Sequence, residues 1–203
     1  MMESFQEFLD SLPNEWGAER STQITNGAYK QESQACDQFD AAAMRTGLFI
    51  VHREVCGSYL FTLPEKTTSG ACRIDRILEP TEKLITAGWG QGMIGVELKR
   101  SDKKIGPVIS QLLDYKKAAW KLPNGSLVIL SYVFVYPAEK AHNEPASIMA
   151  QNRIGTGSLD YAPTSEWHRL SFFCGEQGVL AHYFNTDRTV IRNTDMGRRA
   201  GSR

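Results

Sequence analysis

The middle of the chain alternates between helical and strand-like patterns of hydrophobic residues. Residues 31–45 repeat apolar side chains at helical spacing, and Gly47 suits the end of that helix. The segments that follow are rich in β-branched and aromatic residues, which is typical of strands. They predict four strands, which lie within residues 48–61, 71–80, 93–99 and 126–137. Between the third and fourth strands, Pro107 suits the first turn of a helix that extends to about Trp120.

The order helix, three strands, helix, strand predicts an α/β protein with a central mixed β-sheet flanked by helices. Three consecutive strands favour antiparallel pairing, and a helical crossover favours a parallel return for the fourth strand. We divide the chain into an N-terminal helix and link (residues 1–30), a core (residues 31–137) and a C-terminal extension (residues 138–203). In that extension the pattern predicts a β-hairpin around Gly175–Gly178 and a flexible basic tail. The glycine-rich segment 152–161 is interpreted as a loop.

The composition is that of an ordinary globular protein, with 41% hydrophobic and 23% charged residues. The 23 basic and 23 acidic residues cancel, which argues against a surface coated in positive charge. Four scattered cysteines without a C-x-x-C pair favour reduced thiols over a zinc site or a disulfide framework. The first residues lack the apolar core of a signal peptide, and no run approaches the roughly 20 apolar residues that cross a membrane. We therefore expect a cytoplasmic protein without a membrane partner.

Polar side chains interrupt the third predicted strand, where a buried strand needs apolar ones. Side chains two apart on a strand face the same way, so Glu97 and Lys99 share one face of "MIGVELK". Gly95 lies on that face and is expected to leave open space beside the carboxylate. The flanking run is too apolar for an edge strand, which makes a simple surface ion pair the less favoured interpretation.

A second carboxylate, Asp75, lies in the preceding strand, on the face opposite Ile74 and Leu78. Pairing of the two strands would bring Asp75 close to Glu97. Two carboxylates in a protein core are unfavourable because of desolvation and repulsion, and a divalent cation removes that penalty. Oxygen ligands without His or Cys favour Mg²⁺ or Mn²⁺. The pair therefore predicts a metal site, with Lys99 placed to contact phosphate or to orient a water molecule.

The helix after the third strand carries two further polar side chains. Gln111 and Tyr115 are four residues apart, so they share one helical face, which packing on the sheet would aim at Glu97. Basic residues are concentrated around this region, and they suit phosphate contacts that do not depend on base sequence. The candidates for nucleic-acid contacts are Arg100, Lys103, Lys104 and Lys116.

These residues together resemble the PD-(D/E)xK nuclease superfamily. Asp75 in "RIDRIL" matches the upstream acidic residue, and Glu97 and Lys99 match the E-x-K element. Gln111 and Tyr115 in "QLLDY" match the Q-x-x-x-Y helix element of the RecB-type and phage-type branch. The resemblance implies that all five residues take part in catalysis.

The same resemblance covers residues 31–137 and implies a restriction-endonuclease-like core of order α-β-β-β-α-β. Ile74 stands where the name of the family has Pro. The family often supplies a further acidic residue from the first core helix. The candidates for that role are Asp40 and Glu32, with Asp37 and Glu54 as alternatives.

The function implied is a metal-dependent DNA nuclease, in which Asp75 and Glu97 bind Mg²⁺ or Mn²⁺ and Lys99 positions the attacking water. Its products would carry 5′-phosphates, and its role would lie in phage-type recombination, repair or defence. DNA is the expected partner, while RNA, the choice between exonuclease and endonuclease, and a homodimer stay open. Two other hypotheses are kept. One is an inactive nuclease-like fold that serves as a nucleic-acid or protein interaction module, and the other is an unrelated α/β enzyme that uses carboxylates for acid–base chemistry without metal.

Overall fold

The structure, a computed structural model, describes residues 32–59, 70–100, 106–137, 146–164, 166–175 and 177–192. The predicted N-terminal helix, the predicted basic tail, Lys103 and Lys104 lie outside these described residues. The helices are α1 (Glu32–Thr46), α2 (Glu82–Thr86), α3 (Gly106–Tyr115) and α4 (Ala146–Gln151). The strands are β1 (Phe49–Tyr59), β2 (Ala71–Pro80), β3 (Met93–Leu98), β4 (Ala118–Lys121), β5 (Leu127–Val128), β6 (Leu130–Tyr136), β7 (Ile154–Tyr161), β8 (Trp167–Cys174), β9 (Gln177–Tyr183) and β10 (Arg188–Ile191).

All ten of these strands belong to one mixed sheet, in the order β10-β9-β8-β7-β6-β3-β2-β1-β4-β5. Strands β1, β2 and β3 pair antiparallel, whereas β6 runs parallel to β3 and β7 runs parallel to β6. The protein is therefore α/β with a large mixed sheet. Strands β7 to β10 continue this sheet beyond β6, so the division expected at residue 137 is not a boundary of the sheet. Strands β8 and β9 pair antiparallel where the sequence predicts a hairpin.

The sheet curls around α1, so that strands distant in the sheet meet on its inner side. Phe49 on β1 and Phe172 on β8 place their ring centroids 6.4 Å apart, although four strands separate β1 from β8. Neighbouring strands lie about 4.8 Å apart, so a flat sheet would hold these two strands more than ~20 Å apart. The helix at the centre of the curl buries Ala35, Phe39, Ala42 and Ala43. Gly47, with φ of 65°, follows its last residue.

A second core lies on the outer side of the sheet, beneath α3 and α4. It contains Val108 and Leu112 of α3, Met149 of α4, and Val133 and Val135 of β6. Alternation along β3 sends Ile94, Val96 and Leu98 to the inner core. None of the described helices combines the length and the apolar character needed to cross a membrane.

Helix α3 ends at Tyr115, short of the predicted end at Trp120. Residues Ala118–Lys121 instead form β4, which pairs with β1 and places Trp120 opposite Gly57. The indole packs so closely on β1 that a Cβ at Gly57 would lie 2.7 Å from it. This contact between distant parts of the chain, and not the helical periodicity, decides the conformation of the segment.

The segment 152–161 contains strand β7, so its interpretation as a loop is wrong. β7 pairs with β6 on one side and with β8 on the other. A Cβ on Gly155 would lie 1.8 Å from the carbonyl oxygen of Phe173, and one on Gly157 would lie 3.2 Å from the ring of Phe172. The glycines allow the neighbouring strand to approach closely, which is a common reason for glycine within a strand.

Strands β1 and β2 change the direction of their side chains near Glu54 and Asp75. Leu78 packs in the inner core, whereas Ile74 packs in the outer core. Glu54 on β1 has φ of 51°, a conformation that is uncommon outside glycine and that breaks the two-residue alternation of a strand. The expected shared face of Ile74 and Leu78 is therefore wrong.

Candidate functional site

Glu97, near the end of β3, is the buried acidic residue at the centre of the candidate site. It is 3% exposed and points away from the inner core, toward α3. Its Oε1 accepts hydrogen bonds from Lys99 Nζ and from Gln111 Nε2, the second at 2.8 Å. Its Oε2 lies 3.2 Å from the hydroxyl of Tyr115. Thus the structure brings the predicted E-x-K and helix residues into one hydrogen-bonded cluster.

Gln111 and Tyr115 hold each other as well as the carboxylate. The amide nitrogen of Gln111 donates to Glu97 and also to the hydroxyl of Tyr115. The hydroxyl of Tyr115 has one hydrogen, and its shorter contact is to the carbonyl oxygen of Arg73, at 2.8 Å. Consequently Oε2 of Glu97 shares its donor with a backbone carbonyl, whereas Oε1 has two donors of its own. Oε2 is the oxygen with more capacity for a further ligand.

Asp75 lies where strands β2 and β3 separate. The paired register of these strands ends at Arg76 opposite Val96. Beyond that point Oδ2 of Asp75 accepts a hydrogen bond from the backbone N–H of Leu98, at 2.7 Å. The next amide, that of Lys99, donates to Tyr136 on β6 at 2.8 Å. The backbone that carries Glu97 and Lys99 is therefore fixed from both sides.

The space expected beside Gly95 is filled. A Cβ at that position would lie 2.5 Å from Leu130 and 2.7 Å from Ile74. The expectation of open space there is wrong, because these side chains pack directly over the strand. The partly exposed group next to Glu97 is Lys99, whose side chain is 22% exposed.

The two carboxylates and the lysine perturb one another. Burial raises the pKa of Glu97, the charge of Asp75 raises it further, and the hydrogen bonds from Lys99 and Tyr115 only partly offset this. Burial lowers the pKa of Lys99, but the hydrogen bond and the charge of Glu97 outweigh that effect and leave the pKa raised. Burial and the charge of Glu97 also raise the pKa of Tyr115. Lys99 is thus a cation, and Tyr115 a neutral hydroxyl, at neutral pH.

The two carboxylates proposed from the first helix lie in different places. Asp40 is buried on the inner side of the sheet, where Arg76 contacts it at 2.6 and 3.1 Å and Arg53 at 2.7 Å. Both of its oxygens are occupied, and the sheet lies between Asp40 and Glu97, so the structure does not bring Asp40 to the site. Glu32 is exposed at the start of α1. Its charge raises the pKa of Lys99, but less than the charges of Glu97 and Asp75 do.

The donor set fits Mg²⁺ or Mn²⁺ only with ligands from outside the protein. Among the described residues, no group of three or more His, Cys, Asp or Glu side chains is arranged to hold a metal ion. Asp75 and Glu97 would supply two carboxylates. Mg²⁺ is commonly bound through one or two carboxylates, with water and substrate phosphate completing its shell. The pair therefore fits an ion that is held jointly with substrate.

Two of the four basic residues predicted to contact nucleic acid can be placed. Arg100 is exposed immediately beyond β3. Lys116 is turned inward, where its Nζ donates to the carbonyl oxygens of Leu130 at 2.7 Å and Ser131 at 2.6 Å. Leu130 pairs with the start of β3, at the other end of that strand from Glu97. These bonds give Lys116 a structural role, and its contact with nucleic acid stays a prediction.

Comparison with protein-family models, with curated proteins and with solved structures gives no match to this chain. The resemblance to nucleases stays a prediction from the sequence, and it concerns five residues that lie together in the structure. Sequence reasoning missed two backbone groups of the site, the carbonyl of Arg73 and the amide of Leu98. Residue type carries no signal for such groups, because every residue has them.

Proposed function

We propose that the chain is a metal-dependent deoxyribonuclease whose active site is centred on Glu97. The observation that carries the proposal is this buried carboxylate, which is held by Lys99, Gln111 and Tyr115 and repelled by Asp75. An acidic pair with a neighbouring ammonium group is the chemistry that phosphodiester hydrolysis needs, because it can hold a cation and a phosphate side by side.

The order of elements supports a restriction-endonuclease-like core. Helix α1, the antiparallel strands β1 to β3, helix α3 and the parallel strand β6 come in that order along the chain, with the short helix α2 between β2 and β3. The short strands β4 and β5 are inserted between α3 and β6 and extend the sheet at the far edge. This is the α-β-β-β-α-β order that the nuclease resemblance implies, with additions at both edges of the sheet.

Asp75 and Glu97 are the residues that would hold Mg²⁺ or Mn²⁺. Such an ion, when bound, supplies Lewis acidity and lowers the pKa of water. Gln111 and Tyr115 keep the Glu97 carboxylate oriented, and the bond from Leu98 keeps Asp75 beside it.

Lys99 would act on the phosphodiester. Its ammonium lies at the partly exposed end of β3 and carries three donor hydrogens. One of them would stabilise the negative charge that develops on a nonbridging phosphate oxygen during attack by water. Cleavage of the bond to the 3′-oxygen would leave 5′-phosphate products.

The test is a cleavage assay with supercoiled, linear duplex and single-stranded DNA in Mg²⁺, Mn²⁺ or EDTA. We expect cleavage by the wild type with either metal, and rates at least about 100-fold lower for Glu97→Gln and Lys99→Ala. Glu82→Gln is the matched control, since Glu82 is exposed beyond the end of β2 that lies farthest from the site. Lack of cleavage of every substrate would contradict the proposal. Cleavage that survives excess EDTA would instead favour the acid–base enzyme without metal.

A second candidate function is an inactive nuclease-like module that binds nucleic acid or protein. The observation that favours it is that Lys99, Gln111 and Tyr115 already satisfy the carboxylate of Glu97. Calorimetric titration of the wild type and Asp75→Ala with Mn²⁺, in the presence of a cleavage-resistant DNA duplex, separates the two functions. A nuclease requires binding that the substitution weakens, whereas the module predicts no binding by either protein.

A further inference from the structure

The cation site proposed above already contains a cation of the protein's own. Lys99 Nζ donates to Oε1 of Glu97 and is the positive group that balances this buried carboxylate. Gln111 and Tyr115 are neutral, so they orient Glu97 without changing the charge of the site. A divalent ion that binds Glu97 would therefore stand beside an ammonium group, and like charges repel strongly away from bulk water.

Lys99 is able to leave that position. The residue follows the last residue of β3, and its side chain is 22% exposed while that of Glu97 is 4% exposed. A lysine side chain is a flexible stem with a compact charge at its end. Its backbone amide is fixed to Tyr136 at 2.8 Å, so Nζ can swing while the strand stays in place. The bonds of Glu97 to Gln111 and Tyr115 do not involve Nζ, so they would hold the carboxylate after Nζ departs.

A bound phosphodiester would favour movement of Nζ away from Glu97. A nonbridging phosphate oxygen is a charged acceptor that competes with Glu97 for the ammonium hydrogens. When Nζ turns toward the phosphate, Glu97 and Asp75 regain the uncompensated negative charge that attracts a cation. The bound phosphate can also complete the coordination shell of Mg²⁺. Substrate and cation would thus each favour the binding of the other.

We propose that Lys99 is a built-in counter-ion of the cation site, which keeps cation affinity low until a nucleic-acid phosphate draws its ammonium away from Glu97. This inference rests on the proposed function. It assigns Lys99 a role in positioning charge before catalysis, in addition to its contact with the scissile phosphate. By linkage, the factor by which DNA raises cation affinity equals the factor by which the cation raises DNA affinity.

The test measures Mn²⁺ affinity by calorimetry, with and without a short DNA duplex whose phosphorothioate linkages resist cleavage. The variants are Lys99→Met and Lys99→Gln, the second of which can still donate to Glu97, and Lys121→Met is the control for loss of an exposed lysine charge. We expect the duplex to raise the Mn²⁺ affinity of the wild type and of Lys121→Met by about tenfold or more. Without DNA, both Lys99 variants should bind Mn²⁺ about tenfold more tightly than the wild type and gain little from the duplex.

Two results would overturn the inference while leaving the nuclease proposal standing. The first is Mn²⁺ affinity in both Lys99 variants that equals or falls below that of the wild type. The second is a duplex effect of the same size in the wild type and in these variants. Absence of Mn²⁺ binding in the wild type and in both Lys99 variants, with or without DNA, would instead count against the proposed function itself. Cooperative thermal unfolding of each variant establishes that the comparison is made between folded proteins.

Discussion

Glu97 shows how one buried carboxylate is kept ionisable in this protein. Burial removes the water that would solvate it, so three side chains replace that water as donors. Only one of the three, Lys99, is charged. The site therefore has fixed geometry from Gln111 and Tyr115, and an adjustable charge from Lys99.

Substitution of Asp40 tests whether this residue of the first helix stabilises the fold or binds the metal. Asp40→Asn removes the charge that balances Arg76, whose side chain is 6% exposed. Breaking a buried ion pair leaves the partner uncompensated, so we expect a loss of about 3 kcal/mol in unfolding free energy. Urea unfolding measures this loss, and Mn²⁺ titration should show unchanged affinity. Asp37→Asn, at an exposed position of the same helix, is the control. A large drop in Mn²⁺ affinity with little loss of stability would make Asp40 a ligand.

Because Lys116 is partly buried, we expect the free energy of unfolding to depend on pH. Burial, with the nearby charge of Arg153, lowers the pKa of Lys116 from 10.5 to about 8. As pH rises through 8, the native state loses this proton while the unfolded state retains it until about pH 10.5. The free energy of unfolding therefore rises between these pH values, and this gain is lost as pH falls through 8. Between pH 7 and 9 the wild type should gain roughly 1 kcal/mol relative to Lys116→Met.

Urea unfolding of both proteins at several pH values measures that gain. The range stops at pH 9 because burial also raises the pKa of Cys174 from 9.0 to about 12, which has the opposite effect on stability at higher pH. Lys121→Met, an exposed lysine on β4, should track the wild type. A constant difference between wild type and Lys116→Met across the range would show that Lys116 does not titrate there.

Strand β7 depends on its glycines for contact with β8. In Gly155→Ala the new methyl group would lie 1.8 Å from the backbone of Phe173, which no side-chain movement can relieve. We expect a loss of at least about 3 kcal/mol in unfolding free energy, or failure to fold. Gly90→Ala is the matched control, because a Cβ there meets nothing within 4 Å. Equal stability of the two variants in urea would refute this account of β7.

The elements that sequence reasoning identified are those whose pattern arises locally. Helix α1 follows from its periodicity, and strands β1, β2, β3 and β6 follow from their β-branched and aromatic composition. Alternation along β3 and the four-residue spacing of Gln111 and Tyr115 define the faces that meet once the helix packs on the sheet. The segments around Trp120 and Gly155 differ from the prediction because their conformations depend on partners far away in the chain, Gly57 and Phe173. Periodicity within a segment cannot report such partners.

The position of Asp75 could be predicted only in part. Pairing of β2 with β3 brings this residue toward the end of β3 that carries Glu97. After burial, the charge of Asp75 is the largest cause of the raised pKa of Glu97. The positive φ of Glu54 and the end of the paired register at Arg76 have no signature in residue type. They decide that Asp75 bonds to the amide of Leu98.

The whole molecule is held together by a sheet that wraps one helix. Residues after Pro137 supply Leu170, Phe172 and Leu180 to the core around α1. A chain truncated after Pro137 would expose that face of α1, so we expect it to lose cooperative unfolding in urea. A chain truncated after Arg192 keeps every described strand and should unfold cooperatively. Cooperative unfolding of the shorter chain would make residues 31–137 an independent core after all.

The two sides of the sheet carry charged residues to which we assign different roles, stability on one side and the proposed metal site on the other. The Asp40 and Arg76 pair lies on the inner side with α1, and Glu97 lies on the outer side with α3. Arg76 nevertheless donates to the backbone carbonyl of Asp75, at 2.7 Å, so substitutions on the two sides are not fully independent.

The decisive measurement is the rate of DNA cleavage in Mg²⁺ by the wild type, Glu97→Gln and Glu82→Gln, with the end groups of the products identified. We predict 5′-phosphate ends, a rate at least about 100-fold lower for Glu97→Gln, and an unchanged rate for Glu82→Gln. Equal cleavage by the wild type and Glu97→Gln, or no cleavage by the wild type, would contradict the assignment of this site to nucleic-acid hydrolysis.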